Sequence, residues 1–126
     1  MIATVNGEDS LAIIDLETGN ISKVSVGKGP AQVYIQHDDK YAFVANQGTE
    51  ESPSNTVSKV NLDNKTVEAT IEAGSGAHGV VTSDDDRYVY ITNMYEASVS
   101  VIDNEKNEVV ATVQVDKEPN GISYKK

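Results

Sequence analysis

The stretch "YVYITNMYEASVSVIDNEKNEVVAT" at 88–112 decides the fold. Large apolar residues alternate with small polar ones through Tyr88–Asn93, stop, resume at Val99–Asp103, stop at "NEKNE" and resume again at Val109–Val115. An alternation of period two, rich in β-branched residues and broken by polar turns, is the pattern of short antiparallel strands with one face buried. No segment of helical length carries an apolar stripe at a 3.6-residue spacing. The same pattern recurs at 41–70, "YAFVANQGTEESPSNTVSKVNLDNKTVEAT", and at 3–26, "ATVNGEDSLAIIDLETGNISKVSV".

Laying Val57 on Val99, an offset of 42, superposes Ser58 on Ser100, Val67 on Val109, Ala69 on Ala111, Thr70 on Thr112 and Gly79 on Gly121. Upstream, Tyr41 falls on Tyr88 and Asn46 on Asn93 at an offset of 47, which locates a five-residue insertion between Asn46 and Val57. A first, more eroded copy aligns Asn6 with Asn46, Asp15 with Asn61 and Asp103, and Pro30 with Ala77 and Pro119. The single domain, 1–126, therefore holds three repeats, at about 1–40, 41–86 and 87–126. Each repeat supplies four strands, in the third copy A ("AHGVVTS", 77–83), B ("RYVYITN", 87–93), C ("SVSVID", 98–103) and D ("EVVATVQV", 108–115). Four strands every forty-odd residues predict an all-β fold, a β-propeller of four-stranded antiparallel blades.

Tyr90-Ile91-Thr92-Asn93, Val99-Ser100-Val101-Ile102-Asp103 and Val110-Ala111-Thr112 resemble the YVTN family of β-propeller repeats. Lys117-Glu118-Pro119-Asn120-Gly121 supplies most of that family's Gly-x-x-Pro-x-Gly element, with Asp116 where the family favours Gly. The resemblance covers essentially the whole chain and speaks to architecture, because one fold carries many activities. Read in order, the chain begins at strand B (Ile2–Asn6) and ends on a lone strand A, "PNGISY" at 119–124. This makes three blades' worth of strands, and known propellers close with four or more blades. The chain is then either half of a six-bladed ring, closed by a head-to-tail dimer with itself, or a fragment joined to the rest of a longer propeller.

Composition excludes some classes of function. Twenty acidic against ten basic residues leave a net charge of −10, which repels phosphate backbones, so no nucleic acid is expected as a partner. There is no cysteine, which removes disulfides and thiolate metal sites. No apolar run approaches the ~20 residues of a spanning helix, and direct membrane insertion is not expected. No nucleophile elbow, Walker-type loop or His-rich ligand set is present, so the expectation is no catalytic residue, no metal and no cofactor. The runs Asp38-Asp39 and Asp84-Asp85-Asp86 lack the alternating spacing of a calcium loop and read as turn formers. Asn6, Asn46 and Asn93, each ending a strand B, are expected to bond their own turn backbone.

The resemblance implies that ligands meet the face shared by the B–C loops (7–10, 47–56, 94–98) and the D–A loops (27–30, 74–77, 116–119). The insertion "QGTEESPSNT" falls on that face; a loop that lengthens on a rigid scaffold is where binding is commonly built, and the plainer alternative, which insertion costs favour, is a tolerated surface insertion. The candidate ligand-binding residues are Gln32, His78 and Asn120, taken as equivalent positions at the channel mouth, and Tyr95 in a loop of the same face. His37 is expected in an A–B turn on the opposite face, in solvent. The functional expectation is a non-enzymatic binding or interaction scaffold of cell-surface or surface-layer type, taking a protein or small-molecule ligand. The alternatives are a portion of a propeller enzyme, of sugar-lactone-hydrolase or haem or copper redox kind, and a self-assembling structural half-propeller. A periplasmic or extracellular setting is implied by the resemblance alone.

Overall fold

A computed structural model describes residues 1–126. Strands β1 (Ile2–Val5), β2 (Ser10–Ile14) and β3 (Ile21–Ser25) form a three-stranded sheet. β4 (Pro30–Ile35), β5 (Tyr41–Gly48), β6 (Pro53–Asn61) and β7 (Thr66–Glu72) form a second sheet, of four strands. β8 (Ala77–Thr82), β9 (Tyr88–Asn93), β10 (Ser98–Asp103) and β11 (Glu108–Gln114) form the third. Each sheet is an antiparallel meander in chain order, with no α-helix between the sheets. The inner strands β4 and β8 lie side by side while the outer strands splay, so the sheets fan out as the blades of a β-propeller.

Strand periodicity explains the packing. In the middle blade, Ala42, Val44 and Val60 face the first blade and pack with Leu11 and Val24. Their alternates Phe43, Ala45, Val57 and Ile71 face the third and pack with Val80, Val89, Ile91 and Ile102. β5 is buried on both sides, and this is why it reads as an almost continuous apolar run. Fully burying such an aliphatic or aromatic side chain stabilises the fold by about 1.5–3 kcal/mol each, so the two blade boundaries are the core.

The turns repeat as faithfully as the strands. Asp15, Asn61 and Asp103 each end a C strand, and each Oδ1 accepts two backbone N–H groups of its turn, from Glu17 and Thr18, Asp63 and Asn64, and Glu105 and Lys106. In the acidic runs, Asp38 and Asp85 do the same for Lys40 and Arg87. Asp39 and Asp86 take left-handed conformations, φ 61° and 56°, that an aspartate tolerates at a turn.

The structure corrects the sequence reading at three places. The segment 119–124 is not a strand. It lies against β8 and β9 with Asn120 O accepting from Thr92 Oγ1, and the Tyr124 ring stacks on Tyr90 at 5.8 Å, but it has no strand B beside it to form a ladder. The insertion is not an open loop: β5 and β6 extend through it to the pair Gly48–Pro53, leaving only 49–52 as a turn. In the first blade, Val5 rather than Asn6 occupies the register position of Asn46 and Asn93, since Val5 pairs with Ser10 as Asn46 does with Thr56 and Asn93 with Ser98. Asn6 instead opens a 3-10 turn, Asn6–Glu8.

Candidate functional site

The B–C and D–A loops meet on one face, and a repeated latch holds them there. Asn93 is fully buried; its Nδ2 donates to Ser98 Oγ (3.0 Å) and Ser100 Oγ (2.8 Å), and its Oδ1 accepts from Gly74 N (3.0 Å). Asn46 donates in the same way to Thr56 Oγ1 and Ser58 Oγ. These asparagines tie strand B to strand C and, in the third blade, to the D–A loop, rather than bonding their own turns. The latch also explains two glycines. A methyl group on Gly27 would sit 2.6 Å from Asn46 Cγ, and one on Gly74 would be 2.5 Å from Asn93 Nδ2, so the D–A loop approaches this closely only without a side chain.

A second tie joins neighbouring loops through the backbone. Gln47 N and Gly48 N donate to Gly29 O and Lys28 O, and one blade on, Met94 N and Tyr95 N donate to Gly76 O and Ser75 O. Gly76 N also donates to Ser54 O, so the D–A loop of the third blade is pinned to the insertion of the second. Gln47 Nε2 then crosses the blade boundary to donate to Tyr95 Oη at 2.9 Å. Beside this contact runs a groove of about 550 Å³ lined by Glu50, Met94, Tyr95, Glu96, Lys117 and Glu118. An aromatic ring and a thioether among three carboxylates and one ammonium can take a segment with apolar and basic character.

The four candidate residues are not brought into one site. His78 Nδ1 and Asn120 O are 3.1 Å apart, a side-chain-to-backbone contact in which the Asn120 amide takes no part. Gln32 is exposed on β4, lining a different hollow of about 380 Å³ with His37, Val80 and Tyr124. Nor is Gln32 the counterpart of His78: Pro30 and Val33 pair on β5 as Ala77 and Val80 pair on β9, which aligns Ala31 with His78 and Gln32 with Gly79. Tyr95 alone lies in the loop-face groove. No group of three or more His, Asp or Glu side chains converges in a way that could hold a metal ion.

Two features of the opposite face go beyond the sequence reading, which set His37 in an A–B turn of this face but in solvent and did not single out Lys59. Lys59, on β6, is only 6% exposed at the boundary of the second and third blades. Its Nζ donates to Asn104 O and Asn107 Oδ1, both at 3.0 Å, and lies 4.6 Å from the centre of the Tyr41 ring. Burial pushes its pKa down. Beside it opens a polar hollow of about 630 Å³ whose lining includes Arg87, Asn104 and Glu68, and in which Arg87 Nε and Asn104 Oδ1 have no protein partner. A lysine at a position where the third copy carries Val101 was the available signal. The second feature is His37. It is half exposed, yet its Nδ1 is 2.8 Å from Asp86 Oδ1, and its backbone N donates to Asp86 Oδ2 at 2.8 Å. The hydrogen bond to Asp86 raises the imidazole pKa.

Known proteins resemble this arrangement in fold. Hydrazine synthase from Kuenenia stuttgartiensis superposes with a TM-score of 0.86 at 22% identity, over 95% of this chain and 34% of that one. AztD from Citrobacter koseri superposes with a TM-score of 0.73 at 12% identity, over 95% of this chain and 33% of that one. Its apo structure gives 0.70 at 12% identity, over 91% and 31%. The chain thus spans about a third of the length of these structures, and at such identities the likeness is one of fold. No curated protein matches the sequence. A blade meander repeated along the whole chain, with its loops latched in the same way twice, is matched from residue 1 to residue 126 by one family model, and the chain belongs to the YNCE-like beta-propeller family.

Proposed function

We propose that the chain is a non-enzymatic propeller module whose loop face binds a protein segment in the groove beside Tyr95. The observation that carries this reading is the Gln47–Tyr95 hydrogen bond. It joins the insertion of one blade to the loop of the next, so that the groove wall is braced before any ligand arrives. Preorganisation of this sort lowers the ordering cost of binding. Glu50, Glu96 and Glu118 give the groove an acidic rim around Tyr95 and Met94, which favours a basic segment carrying an apolar anchor.

Fluorescence anisotropy with a labelled Lys/Leu-rich peptide tests this, using a Glu/Leu-rich peptide as comparison. The basic peptide is expected to bind more tightly, and Tyr95→Ala to weaken it roughly tenfold, the size of effect seen for a buried aromatic anchor. Equal binding of both peptides, or no effect of Tyr95→Ala, sinks the reading.

A further inference from the structure

We infer that the polar hollow between the second and third blades, on the face opposite the loops, is a binding site for an uncharged polyhydroxylated ligand, a saccharide unit. The site is separate from the groove beside Tyr95, and its lining, from Gln36 to Asn107, belongs to two blades that pack on each other within the chain.

The two blade boundaries differ at one equivalent place. By register, Ile13, Lys59 and Val101 occupy the same position of strand C, opposite Ile2, Phe43 and Tyr90. Leu62 and Asn104 both open a C–D turn, donating their backbone N–H to Lys40 O and Arg87 O respectively. At the first boundary Ile13 and Leu62 are partly buried and pack against the apolar cluster of Leu11, Val44 and Val60. At the second boundary the same two positions hold Lys59 and Asn104, and Lys59 Nζ donates to Asn104 O at 3.0 Å. Two apolar positions have become polar together, on the two sides of one boundary. Burying an ammonium on neutral partners costs stability, and costly departures from a local rule concentrate at functional sites.

The hydrogen-bonding capacity left in the hollow selects the ligand. Lys59 spends two of its three ammonium hydrogens, on Asn104 O and Asn107 Oδ1. The latter contact leaves Asn107 Nδ2 to donate elsewhere. Asn104 Nδ2 donates to Gln36 Oε1 at 3.1 Å and to Asp86 O at 2.8 Å, which fixes the amide and leaves Oδ1 an acceptor without a protein partner. Arg87 holds Asp103 through Nη2 and Glu105 through Nη1, and its Nε is a donor without a partner. Glu68 takes the Tyr41 hydroxyl on Oε1 and keeps Oε2 as a further acceptor. Donors and acceptors are thus interspersed around the lining, and a hydroxyl, which does both, satisfies them in pairs. An anion would face Glu68, Asp85, Asp86 and Glu105, and a cation would face Lys59 and Arg87. The volume of about 630 Å³ is in the range of small-molecule sites, and Tyr41 supplies the lining's only aromatic ring.

Proton–nitrogen correlation NMR on the 126-residue chain tests this, with glucose, N-acetylglucosamine, maltose and cellobiose as uncharged probes and inorganic phosphate and methylammonium as charged ones. At least one sugar is expected to shift the Arg87 Nε–H and the side-chain amides of Asn104 and Asn107 saturably, with a Kd of about 1 mM. Lys59→Met removes the ammonium donor and should weaken that sugar about tenfold, the worth of one hydrogen bond to a charged group. Asn104→Leu, which restores the residue type of Leu62, should abolish the shifts. In both variants the buried amide signals of Asn46 and Asn93, on the other face, report that the blades are intact. No shift from any of the four sugars overturns the inference and leaves the hollow to solvent. Tighter binding of phosphate or methylammonium than of the sugars overturns it in favour of an ion site. Sugar shifts that persist unchanged in both variants overturn it equally, because the sugar would then bind elsewhere.

Discussion

The second and third blades close their loop ends with a buried asparagine, and the first does not. In the third blade all three of the amide's working contacts are made, to Ser98, Ser100 and the backbone of Gly74. In the second, both hydroxyl contacts are present but Asn46 Oδ1 is left without a partner. In the first, the asparagine has slipped one residue into the 3-10 turn, and its Nδ2 reaches across to Pro30 O instead. One repeat element thus appears at three stages of completeness. Where it is complete it sets the distance between strand B and the D–A loop, and so the shape of the binding face.

Removing the latch where it is complete should have the largest effect. Asn93→Ala strips partners from two buried hydroxyls and a backbone N–H, and about 2–3 kcal/mol of unfolding free energy is expected to be lost in urea titration. Asn46→Ala should cost less, about 1–2 kcal/mol, because one of its own atoms is already unsatisfied. Asn6→Ala should cost at most about 1 kcal/mol, the value of one partly exposed hydrogen bond. Equal losses at 93 and 6 would mean that the latch is no more than a set of interchangeable turn contacts.

The two blade boundaries differ in the same spirit. The first is aliphatic throughout, with Leu11, Val24, Val44 and Val60 at its centre. The second is larger but carries Lys59 at its margin, held by the C–D turn of the third blade through Asn104 and Asn107. A buried cation with no carboxylate partner is costly to keep, and a well-packed apolar replacement is often neutral or better. Lys59→Met should therefore leave the melting temperature unchanged or raise it, while Lys59→Ala, which leaves a cavity, should cost about 1–2 kcal/mol. A large loss for Lys59→Met would show that the ammonium's bonds to the turn outweigh its desolvation.

How much of this was legible in the sequence depended on the range of the contact. The alternation in Val99–Asp103 and the polar breaks such as "NEKNE" are local signals, and blades and turns followed from them; the Asx residues at 15, 61 and 103 marked the repeat, and their role as turn acceptors came only with the structure. The slip of Asn6 was hidden, because an asparagine at the right spacing looks the same whether it ends the strand or enters the 3-10 turn; only the Val5–Ser10 pairing separates the two. The bracing of Tyr95 by Gln47 was hidden by 48 residues of separation. The insertion looked like a loop because "TEESP" has turn chemistry, yet Gly48 takes φ 69° and lets the hairpin continue to Pro53. Segment 119–124 has strand chemistry without a ladder, because a strand is a property of two partners.

The smallest expected effect compares the two faces of the propeller by pH. The asparagine latches of the second and third blades are neutral amides and hydroxyls, whereas the opposite face joins the same two blades through His37 and Asp86. His37 has its pKa raised in the folded protein by the hydrogen bond to Asp86. A raised folded value means that the folded state binds the proton more tightly, so the contribution is complete below the unfolded histidine value of about 6.5 and is lost as pH climbs through the folded value. The melting temperature of the wild type should accordingly fall as pH rises above about 6.5, relative to that of His37→Gln, which keeps the backbone contact to Asp86 Oδ2 but cannot titrate. Because His37 is well exposed, solvent screening keeps the difference small, and 0.5 M salt should shrink it further. Parallel pH profiles for the two proteins would show that the imidazole contributes through its neutral hydrogen bond alone, and that the two faces of the propeller differ in chemistry without differing in their response to pH.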